Sequence, residues 1–392
     1  MDGLVKISTM KWIDRWFGLL ACGLLRVLSF IIPRSKPKQI ERILVIKFWG
    51  MGSLILSLPV FKALRSIYPE AKIGFATLSR NQDFLELLKI SDYEIYLKLS
   101  SGIFSQFGQI LLFFFNLRRF SPEVVIDLEY LTRFSALASY FSGAGIRVGF
   151  HSWDVWRGNL HNIKVSFNPY WHISENFLNL VQKLVGREFP MKFDFTLAKN
   201  QSALERLRDK LRQEGFGDKK PLIVINPNAS TIALERRWPM ENFVKLIELI
   251  VNEDLGYPVL IGSIEERGFV EEICSKIKNR SQILNLAGKL KLDELIELIR
   301  GSELLITNDS GPLHLAGLLG TKTVSFFGPE TPVLFGPIGR GHQVLFKGID
   351  CSPCISVYNA KTVRCIRGIP ECLSQITPEE ALLAVKEAVG KK

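Results

Sequence analysis

A short polar turn between two apolar stretches has the residue types and spacing that favour anion binding. Residues 304–307 predict a buried strand, and the run NDSGP at residues 308–312 follows it directly. A helix should begin in this run, with His314 in its first turn. The start of such a helix presents backbone N–H groups and a positive dipole end, and Gly311 allows close approach. The stretch therefore predicts a phosphate site at the carboxyl end of a strand, unless its Asp or Ser only caps the helix.

Polar residues also follow the other predicted strands of the second half. The strand at residues 221–227 leads into a polar loop, and the strand at residues 258–261 is followed by Glu265 and Glu266. Because the carboxyl ends of parallel strands meet at one edge of a sheet, these loops should lie close together. The predicted nucleotide-binding residues are Ser230, Thr231, Arg237, Glu265, Asp309, Ser310, Gly311 and His314.

The chemistry of this set suits a nucleoside diphosphate. Arg237 offers a forked, permanently charged donor, and His314 is able to donate to a phosphate oxygen. Asp309 would repel a phosphate, so we expect it to accept from a hydroxyl or to cap the helix. Glu265 or Glu266 is suited to a ribose diol. The sequence has no Walker A lysine motif and no Asp-x-Asp pair, which argues against P-loop chemistry and against a metal-dependent sugar-nucleotide site.

The first half opens with a strand, a glycine turn and a helix. Residues 43–48 predict the strand and residues 54–67 a single amphipathic helix, with Gly50 and Gly52 in the turn between them. The glycines let the backbone approach a ligand closely. Lys47 at the strand end either reaches an anion or is an ordinary strand-end lysine.

A later strand brings acidic side chains to the same edge of the predicted sheet. Residues 124–128 form this strand, with Asp127 and Glu129 at its carboxyl end and Arg133 shortly after. A carboxylate opposite the glycine turn is placed to act on a bound molecule. These residues are therefore candidates for acid or base chemistry.

Strands and helices alternate along most of the chain, which is typical of parallel sheets covered by helices on both faces. A length of 392 residues favours two domains, so we expect an α/β protein with two doubly wound domains and a cleft between them. The predicted segments are residues 1–38, a helix and linker; 39–190, the first domain; 191–219, a linker; 220–376, the second domain; and 377–392, a final helix.

The composition favours an anionic partner and not a nucleic acid. The net charge is +11 and the sequence pI about 9.3. The basic residues are scattered, and the chain has no zinc-finger, helix-turn-helix or aromatic-basic motif. Nucleic acid is therefore not an expected partner, whereas a phosphorylated substrate or a phospholipid surface is.

Two apolar segments of the first half stand out. Residues 12–32 form an apolar segment interrupted by Asp14, Arg15 and Arg26, which predicts an amphipathic helix lying in a membrane interface. The alternative is a helix packed on its own domain or in a dimer. Residues 104–115 are more uniformly apolar and predict an internal helix or core segment.

Four of the six cysteines cluster near the end of the chain. No cleavable signal peptide is evident, so a reducing compartment is expected and disulfides are not. The alternatives are a structural zinc site or redox-sensitive loop and a group of free, partly buried thiols. The cysteines concerned are Cys351, Cys354, Cys365 and Cys372.

Several stretches resemble glycosyltransferase family nine, the bacterial heptosyltransferases of lipopolysaccharide core assembly. They are ILVIKFWGMGSLILSLPVFKALRSIYPEAKI, VVIDLEYLTRFSALASYFSGAGIRVGF, INPNASTIALERRWP and NDSGPLHLAGLLGTKTVSFFGPETP, in order over residues 40–390. The resemblance implies a GT-B fold of two Rossmann-like domains. It implies a nucleotide-sugar donor, ADP-heptose, on the second domain, and a lipid-linked saccharide acceptor on the first, near Lys47, Gly50, Gly52 and Arg133.

The resemblance also implies inverting transfer that requires no metal or other cofactor, by an enzyme bound peripherally to the inner face of the cytoplasmic membrane. One position departs from the family pattern. Members usually carry an aspartate, the proposed catalytic base, directly after the turn glycine, and here Ser53 stands in its place. A serine hydroxyl does not take a proton without its own base, so we expect Glu129, or else Asp127, to substitute. The alternatives are a catalytically silent nucleotide-sugar binder or assembly partner and, less well supported, an epimerase of the same fold.

Overall fold

A computed structural model describes residues 7–31, 37–100, 102–191, 193, 195–217, 220–230, 233–359 and 364–390. The chain divides into two compact units, residues 1–193 and 194–392. Each unit is built on a six-stranded parallel sheet. The predicted α/β class and the pair of doubly wound domains are confirmed.

The first unit is ordered around the pair of strands where its connectivity reverses. Its strand order is β3-β2-β1-β4-β5-β6, so the chain moves outward from β1 in one direction and from β4 in the other. Ile46 in β1 pairs with Ala76 on one side and with Asp127 on the other. The strands are β1 Arg42–Ile46, β2 Lys72–Leu78, β3 Tyr93–Leu97, β4 Val124–Asp127, β5 Ile146–His151 and β6 Ile163–Ser166.

The helices of the first unit cover both faces of this sheet. They are α1 Ile7–Ile31, α2 Met51–Leu56, α3 Leu58–Ile67, α4 Gln82–Leu88, α5 Ile103–Phe120, α6 Arg133–Phe141 and α7 Ile173–Val185. The single helix predicted after the glycine turn is in fact two helices that meet at Ser57. Pro59 lacks an N–H group and is accommodated in the first turn of α3, which is where helices accept proline.

The two apolar segments of the first half form helices α1 and α5, and both expose large apolar side chains. Helix α5 is not internal: it packs on β3 and α6 along one side, and Phe104 on its other side is 94% exposed. Helix α1 packs against α6 of its own unit, but its large apolar side chains point outward. No helix in the described part of the chain is both long and apolar enough to cross a membrane.

The second unit repeats the connectivity of the first. Its order is β12-β11-β10-β7-β8-β9, with the reversal between β7 and β10. The strands are β7 Leu222–Asn226, β8 Tyr257–Leu260, β9 Leu284–Asn285, β10 Leu304–Asn308, β11 Thr323–Phe327 and β12 His342–Phe346. The helices are α8 Gln201–Gln213, α9 Met240–Asn252, α10 Arg267–Lys276, α11 Leu292–Gly301, α12 Gly311–Leu319, α13 Pro332–Phe335, α14 Glu371–Ser374 and α15 Pro378–Val389.

The first and last helices of the second unit both pack on other elements of that unit. Helix α8 lies on α11, where Glu294 accepts from Arg206 at 3.3 Å and from Lys210 at 2.6 Å. The sequence predicts a helix over residues 201–214 within the linker segment, and α8 is this helix. Helix α15 packs on α9, β11 and β12.

Candidate functional site

The predicted phosphate turn lies at the point where the second sheet reverses its connectivity. Strands β7 and β10 are direct neighbours there, with Thr307 paired to Asn226. Helices leaving neighbouring strands on opposite faces open a crevice at the carboxyl ends, and open α/β sheets bind ligands in that crevice. The loops after β7 and β10 therefore form the candidate site of the second unit.

A hydroxyl and amide cluster fixes the start of α12. The Asn226 amide donates to Thr307 Oγ1 at 3.1 Å and to Ser310 Oγ at 3.0 Å, and the two hydroxyl oxygens lie 2.9 Å apart. Ser310 occupies the N-cap position, but its side chain makes no capping bond to the described turns of α12. Its hydroxyl instead contacts Asn226 and Thr307 at the ends of β7 and β10. Ser310 is therefore not a residue whose side chain only caps the helix. Sequence reasoning missed Asn226, although it lies next to the end of a predicted strand and is the last residue of β7.

The first turn of α12 begins at the residues that the sequence predicts as an anion site. Gly311 begins the helix, and Pro312 contributes no N–H group. The Leu313 N–H donates back to the Ser310 carbonyl at 3.2 Å, and His314 is buried beside this turn. The Gly311 N–H and the positive end of the helix dipole therefore face the crevice beside the Ser310 hydroxyl.

Two adjacent arginines come from the loop after β7, and they have different partners. Arg236 forms an ion pair with Asp309 at 3.0 Å, and Asp309 is almost fully buried. Asp309 thus orients an arginine, a role that the sequence did not predict. Arg237 instead lies 4.2 Å from the centre of the Phe269 ring. Burial lowers the pKa of the Arg237 guanidinium, and the charge of Glu266 acts in the opposite direction.

A buried tryptophan anchors the arginine loop. Trp238 is completely buried and stacks on Phe326 at 4.2 Å. Its backbone N–H donates to Asn308 Oδ1 at 2.9 Å, and its indole N–H donates to the Ile376 carbonyl at 2.9 Å. Asn308 in turn donates to the carbonyls of Pro227 and Asn228. The Arg-Arg-Trp-Pro sequence is therefore held rigidly against the end of β10.

Several polar atoms of this crevice are buried and make no hydrogen bond to any described residue. Arg236 Nε, Arg237 Nε and Asn228 Oδ1 have no hydrogen-bond partner among the described residues. Buried polar atoms are paired in the great majority of cases, and each exception needs a reason. Two donors and one acceptor beside a helix N-terminus are what a bound polar ligand would satisfy.

The remaining predicted residues of this set differ in how they are placed. Ser230 and Glu265 are exposed on their loops. Glu266 accepts from the Ser263 N–H at 2.9 Å, and its charge acts on Arg237. Glu266, the residue that the sequence offered as the alternative to Glu265, is thus the acidic residue electrostatically linked to the arginine loop. Thr231 lies outside the described residues.

The reversal point of the first sheet contains a buried ion pair. Lys47 Nζ lies 2.9 Å from Glu129 Oε1, and both side chains are almost inaccessible to solvent. The same carboxylate oxygen accepts from the N–H groups of Phe48 at 2.6 Å and Trp49 at 3.1 Å. Lys47 also lies 4.7 Å from the Tyr130 ring centre. Lys47 and Glu129 therefore hold the glycine turn in place, and neither presents its charge to a bound molecule.

Asp127 is occupied in a second buried network. Its Oδ2 accepts from Ser135 Oγ at 2.7 Å and from Arg157 Nη1 at 3.1 Å, and it lies 3.1 Å from His161 Nε2. Burial acts to raise the pKa of Asp127, but the hydrogen bond to His161 and the charge of Arg157 outweigh it, so the pKa lies below its usual value. A carboxylate held in this way is a weak base.

The other predicted residues of the first unit lie around the turn. Gly50 has φ +85°, which a side chain would strain, and Gly52 is buried in α2. Ser53 Oγ lies 3.4 Å from Tyr130 Oη. Arg133 begins α6, and its side chain packs against Gly18 of α1 and not beside the turn.

The family model for glycosyltransferase family 9 (heptosyltransferase) matches residues 111–362, more than half of the chain. The chain belongs to glycosyltransferase family 9. It is 24% identical over 322 residues to lipopolysaccharide heptosyltransferase 2 of Escherichia coli K12, covering 78% of this chain and 87% of that protein. The resemblance found in the sequence is confirmed, and the chain is a glycosyltransferase by family.

Solved structures show the same fold. The E. coli ADP-heptose heptosyltransferase II structure has a TM-score of 0.69 at 22% identity, covering 89% of this chain and 98% of that one. A family 9 glycosyl transferase from Veillonella parvula has a TM-score of 0.72 at 21% identity, covering 91% and 99%. The two Rossmann-like units are thus those of the GT-B fold.

For a family 9 protein, the first unit offers further residues that sequence reasoning missed. Exposed aromatic side chains lie in the loops after β5 and β6, at the same sheet edge as the glycine turn. Trp153 is 93% exposed and Tyr170 84%, and Trp156 and Trp171 are partly exposed nearby in sequence. Flat aromatic faces with a polar tip suit recognition of a sugar ring. The signal was present in the runs SWDVW and NPYWH.

The four clustered cysteines line one cavity of about 60 Å³. Burial raises the pKa of the Cys372 thiol to about 11, with further contributions from the neighbouring cysteines. The pKa of Cys354 is raised for the same reasons. Among the described residues, no group of His, Cys, Asp or Glu side chains has the arrangement of a metal site.

Proposed function

We propose that this family 9 enzyme transfers a heptose from ADP-heptose to a lipid-linked saccharide of the lipopolysaccharide core. The observation that carries the proposal is the crevice of the second unit, where buried polar atoms with no hydrogen-bond partner among the described residues lie beside a helix N-terminus. The names of the similar proteins support the sugar and the acceptor: a lipopolysaccharide heptosyltransferase and a structure described as an ADP-heptose heptosyltransferase.

The donor binds at the crevice of the second unit. Gly311 N–H and Ser310 Oγ bind the diphosphate, His314 donates to it, and Arg237 neutralises its charge. Ser230 belongs to the loop beside it, and Thr231 follows Ser230 in the sequence. The ribose diol binds an acidic residue of the Gly262 loop. Glu265 is exposed and able to reach it, whereas Glu266 is already bound to Ser263.

Transfer is inverting and requires no metal in this proposal. The acceptor hydroxyl oxygen forms a bond to the anomeric carbon from the face opposite the phosphate. The bond between that carbon and the phosphate oxygen breaks, and the diphosphate leaves with the electron pair. Arg237 and the first turn of α12 stabilise the developing charge. The hydroxyl proton passes to water, because Ser53 replaces the carboxylate that the family usually carries.

Glu129 acts in this scheme as a positioning residue. Its Oε1 accepts from an ammonium and two backbone N–H groups, so this oxygen is already engaged in fixing the turn. It holds the turn that carries Ser53 and Gly50. The acceptor saccharide binds at this turn and at the exposed aromatic loops after β5 and β6.

Product analysis tests the proposed function. Purified enzyme with ADP-heptose and a heptose-deficient lipopolysaccharide acceptor should give a heptosylated acceptor and one equivalent of ADP. Arg237→Ala should abolish the reaction, whereas Arg208→Ala, an exposed arginine on α8, should leave it unchanged. ADP without a heptosylated acceptor, or an epimerised donor, would contradict the proposal.

The alternative of a catalytically silent nucleotide-sugar binder rests on one position. Ser53→Asp restores a carboxylate next to Gly52, and general base catalysis typically contributes about 10²–10⁴-fold. In an active enzyme this substitution should raise kcat from a measurable wild-type value. Wild-type protein that binds ADP-heptose without turnover, together with transfer by the Ser53→Asp variant, would establish the silent alternative.

The acceptor places this enzyme at the inner face of the cytoplasmic membrane as a peripheral protein. Heptose addition to a lipid-linked core requires access to a saccharide that its lipid holds at a bilayer surface. Fractionation of cells should therefore recover the protein with inner membranes at low salt. Recovery in the soluble fraction alone would contradict this localisation.

The cysteine cluster has the chemistry of a zinc site without the geometry of one. An all-sulfur set is a common zinc environment, but the described thiols do not have the arrangement of a ligand set, and burial raises the pKa of Cys372 to about 11. We infer that the four cysteines are free thiols. Metal analysis of the purified protein separates the two states, since stoichiometric zinc would establish a structural site.

A further inference from the structure

Helix α1 is fixed to the first unit through a carboxylate in the middle of its apolar sequence. Asp14 Oδ1 accepts from the Phe134 N–H at 2.7 Å, and Oδ2 accepts from the Arg133 N–H at 3.1 Å. These N–H groups belong to the first turn of α6, which has no capping bond from its own N-cap residue, Thr132. Asp14 therefore caps α6 from a distant part of the chain, and one orientation of α1 is selected.

Small residues complete the inward side of α1. A Cβ atom on Gly18 would lie 2.9 Å from Arg133 Cβ, and one on Gly158 would lie 2.6 Å from the Cys22 carbonyl oxygen. Cys22 and Leu25 are buried among residues of α6 and the adjoining loop. The close approach leaves no freedom for α1 to turn its other side inward.

The outward side of α1 carries the large apolar residues, which is the reverse of an ordinary surface helix. Leu24 is 69% exposed and Leu20 is 67% exposed. The residues recur at helical spacing and form one stripe along the helix. The exposed large apolar side chains of α1 are Trp12, Ile13, Trp16, Phe17, Leu20, Leu24, Val27 and Leu28.

Helix α5 presents a second stripe of the same kind. Its inward side, with Phe113 and Leu117, packs into the core. Its outward side carries exposed phenylalanines and leucines at spacings of three and four residues. They are Phe104, Phe107, Leu111, Leu112 and Phe115.

Helix α6 joins the two stripes. Leu137 packs with the cluster that includes Cys22 and Leu25 of α1, and Phe141 lies 4.8 Å from the Phe114 ring of α5. Residues four apart lie on one face of a helix. The outer face of α6 therefore connects α1 to α5, and the three helices form one apolar surface, which we name the α1/α5 face. Monomeric proteins rarely expose apolar surface over so many large residues without a binding partner.

The charges around the α1/α5 face are almost all positive. The sequence of α1 contains Lys11, Arg15 and Arg26, and α5 ends with the exposed pair Arg118 and Arg119. Asp14 is the one carboxylate in the sequences of these two helices, and its oxygens accept from backbone N–H groups of α6. The face therefore combines aromatic and aliphatic side chains with cations, the combination that favours the interface of an anionic bilayer.

We propose that the α1/α5 face docks the first unit into the surface of an anionic phospholipid bilayer. The inference deepens the proposed function, on which it rests for the lipid-linked acceptor. A second copy of the chain is the competing occupant. A two-fold dimer through this face would bring the cations of both copies together, and the one carboxylate of α1 and α5, Asp14, already accepts from backbone N–H groups of α6. Charge complementarity therefore favours the lipid.

Flotation of the full-length protein with vesicles tests this surface. We expect wild-type protein to float with vesicles of phosphatidylcholine and phosphatidylglycerol, and much less with phosphatidylcholine alone. Leu24→Glu and Phe107→Glu should each reduce binding at least about tenfold, because a charge is placed where the acyl boundary would be. Leu383→Glu, at an exposed leucine of α15 in the second unit, is the matched control and should bind as wild type does.

Two results would overturn the proposal. One is unchanged flotation of both face variants. The other is a stable dimer in solution that the same two variants dissociate. Transfer to a water-soluble, deacylated core acceptor separates this inference from the proposed function: face variants should retain that activity, whereas failure of the proposed function would remove it from every variant and leave flotation unaffected.

Discussion

The two sheets reverse their connectivity in the same way, between β1 and β4 and between β7 and β10, but their polar groups are in opposite states. In the first unit, Glu129 takes three donors on one oxygen and Lys47 is paired with it. In the second unit, Arg237 Nε and Asn228 Oδ1 are buried without a partner among the described residues. In the first crevice, the Lys47–Glu129 pair has its hydrogen-bond partners within the protein. In the second crevice, buried polar atoms remain that a ligand could pair with.

This difference indicates where each unit uses its polar groups. A satisfied buried ion pair holds backbone in place, because separating its charges would leave one of them desolvated. Unsatisfied donors are costly in the free protein and gain most when an anion binds. We therefore expect substitutions in the first crevice to affect stability first, and substitutions in the second to affect donor affinity first.

The largest expected effect comes from breaking the ion pair of the first unit. Lys47→Met keeps most of the side-chain volume but leaves Glu129 charged, buried and without its ammonium. Removing one partner of a buried pair typically costs about 3–5 kcal/mol. Chemical denaturation should show this loss, and ADP affinity at the second unit should not change. The double variant Lys47→Met with Glu129→Gln should recover part of the stability, and no recovery would contradict the pairing.

A smaller effect, of a different kind, is expected at Arg237. Replacing it with alanine removes a charge-assisted hydrogen bond to the diphosphate, worth about 1.5–3 kcal/mol, or roughly 10–150-fold in ADP affinity. Calorimetric titration with ADP measures this change. The thermal midpoint without ADP should remain near that of wild type. If Arg237→Ala lowered the stability greatly and left ADP affinity unchanged, this residue would serve the fold and not the ligand, contrary to our expectation.

Asp14 of α1 offers a second satisfied carboxylate in the first unit. Asp14→Ala removes the acceptor that caps α6, and loss of a cap typically costs about 0.5–2 kcal/mol. Denaturation of this variant beside Asp209→Ala, an exposed aspartate of α8, measures the difference. Equal stability of the two variants would show that α1 is not held by this contact.

The smallest effect is a change in acid sensitivity. The pKa of Asp127 is below its usual value in the folded chain, so the unfolded state binds protons first as the pH falls. The contribution of Asp127 to stability is complete above its pKa in the unfolded state, about 3.9. It is lost as the pH falls from this value toward the pKa of the folded state. Asp127→Asn should therefore flatten the dependence of unfolding free energy on pH in acid. A slope equal to that of wild type would place this sensitivity elsewhere.

Local sequence was sufficient for the elements and for the helix N-terminus after residues 308–310. Alternation of apolar strands with helices predicts both parallel sheets, because the side-chain period differs between the two structures. The turn at residues 308–312 predicts a helix N-terminus facing a crevice, which the structure contains. The family resemblance rests on the same stretches. Errors at this level were local, as with the helix that Ser57 divides.

The sequence did not determine which polar groups are already satisfied. Glu129 lies 82 residues from Lys47 in the chain, and Asn226 lies 84 residues from Ser310. Such partners become known only when the strands are placed side by side. A carboxylate at a strand end therefore resembles a catalytic base until its partners are identified, and Asp309 resembles a hydroxyl acceptor until Arg236 is found beside it.

The sequence also determined that α1 has two different faces, and only the tertiary structure decided which one is buried. Periodicity separates small and charged residues from large apolar ones. It does not reveal that the N–H groups of α6 need an acceptor or that Gly18 fits against Arg133. These contacts turn the apolar side outward. The local sequence thus encodes the apolar and basic composition of α1, whereas the direction in which the apolar side faces is set by tertiary packing.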